Sequence, residues 1–174
     1  EAARFFCAAL RLRVLVVNLF RSDMSRVINT DGVGKQRTQL SKAVLIAIRE
    51  LAAKKQVDDE ARDMAAFLAL ALSQIHNTVD ESVKAWEKRD YWMKADQFRM
   101  QWAWSQASAQ KVREAVLLND WGELAVLMPE IAAKLNTVKL PKSNTIGKPW
   151  AGALAELKKR GNPFTPSLTS PSTH

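Results

Sequence analysis

The sequence predicts an all-α fold: a helical bundle of about four to six helices, with one long central helix or helix pair and a disordered C-terminal tail. Three observations predict it. No Gly or Pro falls between Lys35 and Trp121, so nothing there punctuates a helix. Apolar residues recur at helical spacing along that stretch. All the prolines and most glycines gather after residue 120, in short stretches that suit connections between helices. A chain of 174 residues suits one domain with tails and can bury about 70% of its unfolded surface. We divide it into an apolar and basic N-terminal segment (1–28) set apart from the core, a bundle (29–161), and a Ser/Thr/Pro tail (162–174) read as disordered.

Residues 4–20 read as a short buried helix or a strand. Arg11 and Arg13 interrupt "FFCAALRLRVLVVNLF", which makes it a poor membrane span and an unconvincing signal peptide. Met24 offers an internal start, in which case residues 1–23 are dispensable. "NTDGVGK" (29–35) reads as a loop by its Asn, Asp and two glycines. The first core helix is expected from about Lys35 to Lys55, with Leu40, Val44, Ala47, Ile48 and Leu51 inward and Leu45 and Ile46 widening the apolar arc. Lys54 and Lys55 then close its C-terminal end, where the helix dipole favours cations.

The next helix starts behind Asp58 as N-cap. Its stripe runs through Met64, Leu68, Leu72, Ile75, Val79 and Val83 to Trp86, and "AAFLALAL" (65–72) is apolar nearly all round, which marks the central helix. Asp90 caps a third helix running to about Leu118, unless the two are one helix bent near Lys88. "DWGE" places Glu123 three residues after Asp120, in the manner of a capping box. Pro129 then predicts a kink or break. After a loop at 140–149, a last short helix is expected from Pro149 to Arg160, stopped by Gly161.

The net charge of +8 is uneven: +7 over residues 1–56, −4 over 57–135 and +5 over 136–174. Basic ends either dock on the acidic middle or meet an anionic partner. "WEKRDYWMKADQFRMQWAW" (86–104) mixes aromatics with cations. On a helix, Ala95, Phe98, Trp102 and Ser105 fall on one line with Tyr91, and Trp86 extends the stripe before it. Asp80–Lys84, Asp90–Lys94 and Asp96–Arg99 stand at pairing distance. Most of the segment is therefore core with a wet edge. Trp92 and Trp104 lie outside the main stripe. They are the candidate interaction surface, with Arg89 and Arg99 beside them.

Chemistry finds little footing. One cysteine, Cys7, forms no internal disulfide and no Cys-cluster metal site. Two histidines, His76 and His174, are too few for a His-based site, and no Glu-x-x-His pairs suggest a di-iron bundle. "DGVGKQ" (31–36) fails the phosphate-loop pattern at its first glycine and its hydroxyl position. Asp58, Asp59, Glu60 and Asp63 read as helix-start acids rather than a metal site. There is no G-x-S-x-G. No metal and no cofactor is expected.

The sequence thus points first to a cytoplasmic, non-enzymatic interaction protein of adaptor or scaffold type, binding a protein partner or itself. The alternative is nucleic-acid binding through Lys35, Arg37 and Lys42 together with Lys158, Lys159 and Arg160, provided both groups meet on one face. A peripheral membrane role through residues 4–21 ranks below these, and an enzyme last.

Overall fold

The computed structural model describes residues 30–140 and 146–160. The segment 1–28, with Cys7 and Met24, and the tail 162–174, with His174, lie outside the described residues, as does Gly161. The described chain is all-helical: α1 Thr30–Ala53, α2 Asp59–Glu87, α3 Trp92–Trp102, α4 Trp104–Leu118, α5 Trp121–Lys134 and α6 Ala153–Lys159.

α2 is the central helix. It has 29 residues and spans about 43 Å at 1.5 Å per residue. Residues 64–72 are buried without interruption, so α2 is covered on every side there. α1, α3, α4 and α6 all pack against it, and α5 packs on α4. Asp58 starts α2 as expected: its Oδ1 accepts from the Ala61 N–H at 2.7 Å.

α1 begins earlier than the sequence predicts. The stretch read as a loop at 29–35 is helical from Thr30 onward. Val33 explains it, being buried seven residues, or two turns, before the buried Leu40. That burial outweighs the cost of two helical glycines, about 1 kcal/mol each. A Cβ at Gly32 or Gly34 would meet no atom within 4 Å, so no close contact demands glycine there. At the other end α1 stops at Ala53, and Lys54 and Lys55 lie just beyond it.

α2 and α3 are separate helices. The chain turns at 88–91, where the N–H groups of Arg89 and Tyr91 both donate to the Trp86 carbonyl. Asp90 does not cap α3. It takes the left-handed conformation the turn requires, φ 61°, which Asp tolerates better than most residues. Tyr91 holds the N-cap position with no side-chain cap. The expected single helix to Leu118 is also broken, at Ala103. There the Ser105 hydroxyl donates to the Trp102 carbonyl at 2.7 Å, a side-chain intrusion of the kind that bends helices.

α4 ends at Asn119, φ 57°. Asp120 Oδ1 then accepts from the Glu123 N–H at 3.0 Å and opens α5. The box is half made, because the Asp120 N–H bonds the Ala115 carbonyl instead. α5 runs through Pro129 without breaking. Leu124, Leu127 and Ile131 are buried on its inner face, and that packing holds the helix across the proline. α6 starts four residues later than expected: Pro149 lies in a turn, and Gly152, φ 79°, is the N-cap. Docking of Trp150 and Ala153 into the core, rather than the proline, sets this start.

Candidate functional site

The aromatic segment divides into an inner and an outer set. Val79, Val83 and Ala95 form a small core beneath Trp86, Phe98 and Trp102. Trp86 meets Phe98 edge-on at 4.9 Å between centroids, and Trp102 stacks on Trp104 at 5.9 Å. Into this cluster comes Arg37 from α1. Its guanidinium lies 4.7 Å from the Phe98 centroid and 5.4 Å from that of Trp102, and donates to Ser82 Oγ at 3.3 Å. Such contacts contribute about 0.5–2 kcal/mol. Burial pulls the Arg37 pKa below its ordinary value. Lys94 lies 4.6 Å over Trp86.

The sequence candidates therefore separate. Trp104 is half-buried in the aromatic stack, while Trp92 is 57% exposed. Arg99 bonds Glu87 and Asp96 at 2.6 Å each, which ties α3 to the end of α2. The Glu87 hydrogen bond raises the Arg99 pKa. Of the expected pairs, Asp96–Arg99 forms, while Asp80 instead sits 3.6 Å from His76 Nε2. Arg89 is exposed on the turn.

The sequence reading missed the outer face of α3. Met93 is 79% exposed and Met100 72%. At about 100° per residue these two share a line roughly opposite Ala95, Phe98 and Trp102. Trp92 flanks that line, and Tyr91, also exposed, precedes it. Methionine at helical spacing reads as core in a sequence; only the packing of the opposite face of α3 on the bundle reveals it as surface.

The basic candidates do not converge. Lys35 is exposed on α1, Lys42 is half-buried, and Arg37 lies in the aromatic cluster. Lys158 and Lys159 are exposed at the end of α6, where Arg160 Nε bonds Glu156 at 2.6 Å. Arg37 docks over Ser82, whereas Arg160 lines a cavity with Ser73, Gln74 and Asn77. Asn77 and Ser82 are about 140° apart around α2.

The acids at the start of α2 act as a clamp. Lys54 bonds Asp58 and Glu60 at 2.6 Å each. Glu60 also takes Lys148 at 2.8 Å and the Trp150 indole N–H at 3.4 Å. Asp63 accepts from the N–H groups of Gly152 and Leu154 at 2.8 and 3.0 Å. Among the described residues, Lys54 and Lys148 thus pair with acids at the start of α2. Lys148, then Lys54, holds the Glu60 carboxyl at about 2, below its ordinary 4.5. A depressed carboxyl pKa stabilises the fold above the ordinary value and loses that effect as pH falls through the folded one. The melting-temperature difference between wild type and Glu60→Gln is therefore expected to shrink as pH drops from about 4.5 to about 2. A difference that stays constant over that window rules out the clamp as a source of acid sensitivity.

Among the described residues, no group of three or more His, Cys, Asp or Glu could hold a metal ion, and no helix is long and apolar enough to cross a membrane. Fold and surface together define an all-α bundle with an exposed apolar face on α3. No protein-family model, curated protein or solved structure matches the chain.

Proposed function

We propose that this chain is a non-enzymatic interaction protein, acting in the cytoplasm, that self-associates through the outer face of α3. The observation that carries the reading is the exposure of Tyr91, Trp92, Met93 and Met100 on and beside one helix. Large apolar groups clustered at a surface mark binding faces; Trp anchors them, and Met adapts to what it meets. A second copy is the favoured occupant because the rim carries both signs. Exposed Lys88 and Arg89 stand beside exposed Asp90, while Arg99 pairs with Glu87 and Asp96 within the chain. A mixed rim can satisfy itself across a two-fold axis, whereas a purely basic one repels its copy. Nucleic-acid binding draws no support from two basic groups placed on different sides of α2.

Sedimentation across a concentration series tests this reading. Wild type is expected to show a reversible monomer–dimer equilibrium that tolerates salt. Trp92→Ala is expected to weaken it by about 2 kcal/mol, and Met93→Asp to leave monomer, both with unchanged helical content. A wild type that stays monomeric throughout, or a dimer indifferent to both substitutions, rejects the proposal.

A further inference from the structure

A second feature lies away from α3. α2, α4 and the end of α6 frame a partly open cavity of about 120 Å³. That is roughly ten times what one water needs. Its floor is apolar, and its polar lining is Ser73, Gln74, Asn77, Arg113 and Arg160. No carboxylate lines it. Arg113 is only 8% exposed. Its NH1 donates to the Leu157 carbonyl at 3.2 Å, which caps one free carbonyl at the end of α6. A guanidinium has five donors, and this one bond leaves others open to the cavity that Arg113 lines. The side chains of Ser73, Gln74 and Asn77 make no hydrogen bond within the described residues.

A guanidinium held in place by one carbonyl, with its other donors open to a cavity, is a ready anchor for an anion. Charge-assisted bonds from a fixed planar fork to an anion are among the stronger ones available. We propose that this cavity binds a small oxyanion, a phosphate or a carboxylate, with Arg113 as its anchor. Ser73, Gln74 and Asn77 supply neutral donors around it. Arg160, paired with Glu156 through its Nε, stands at the edge of the cavity. The apolar floor of Ala69, Leu70, Ala109 and Leu157 lowers the local dielectric and strengthens these bonds. Capping of α6 alone would need only the carbonyl contact, and neither the cavity nor the polar ring.

The test is a thermal-shift titration of the full chain with potassium phosphate and with potassium acetate, against potassium chloride at equal ionic strength. The expected result is a saturable rise in melting temperature with at least one oxyanion, beyond any chloride effect, and the tighter anion identifies the class. Arg113→Lys keeps the charge but loses the fork and is expected to bind at least about tenfold more weakly. Asn77→Leu, an exposed position on the rim, is expected to fill the mouth and abolish the response while preserving the fold. If neither oxyanion exceeds chloride, the proposal is overturned. It is equally overturned if both variants bind as wild type does. Should Arg113→Lys fail to fold, Asn77→Leu decides alone, and unchanged binding there overturns the site.

Discussion

Leu72→Ala is expected to lower the unfolding free energy by about 2–5 kcal/mol, toward the upper end of that range. Leu72 is fully buried and closes the run of α2 that is covered on every side. The cost of such a truncation depends on how far the surroundings can collapse into the cavity. Here α1, α4 and α6 are all held against α2, and α2 is itself a long element with no break between Asp59 and Glu87. Collapse on one side would open a gap on another. Urea denaturation measures the loss, with Leu118→Ala as the comparison. Leu118 is 80% exposed, and such surface changes stay within about 0.5 kcal/mol. A Leu72→Ala loss below about 1 kcal/mol would mean that α2 is not the packed centre of the fold.

The same helix shows what a sequence can carry. Its period, its all-round apolar run and its Asp58 cap are local properties, and all were legible. So was the Asp120 cap of α5. The structure departs where a distant contact decides the outcome. Gly32 and Gly34 read as a loop because their propensity is local, while the burial of Val33 against the bundle is not. Asp90 has the right chemistry for a cap but sits one residue early, in a turn whose left-handed residue it supplies. Arg37 looks like a free cation until Phe98 and Trp102, more than sixty residues away, close around it. Met93 and Met100 follow the same logic in reverse. Their residue type suggests core, and only the absence of a covering helix among the described residues places them on a surface. Arg113 was not singled out at all, since nothing along α4 announces that its guanidinium will be buried against α6.

Asp63 is where local reading and tertiary structure part most completely, and there the second large effect is expected. In the sequence it is one more acid near a helix start. In the fold it accepts two backbone N–H groups at the start of α6. That helix has seven residues, and its N-cap is Gly152, which has no side chain to cap with. Seven residues are too few to hold a helix in isolation. Asp63 thus provides, from α2, the acceptor that an Asp or Ser at the N-cap would otherwise provide. Asp63→Ala is expected to cost about 2 kcal/mol, the scale of hydrogen bonds to a charged acceptor. The loss should be local: faster amide exchange across α6 and red-shifted Trp150 emission, with protection in α1 and α2 retained. Asp63→Asn keeps an acceptor oxygen without the charge and should fall between. Unchanged exchange in α6 after Asp63→Ala would instead assign its docking to the burial of Trp150, Ala153 and Leu157 alone. If α6 does loosen, Arg113 loses the Leu157 carbonyl as well, and the cavity beneath it opens. Oxyanion binding and the integrity of the Asp63 clamp are then coupled, so an anion that protects α6 in wild type should protect it less in Asp63→Ala.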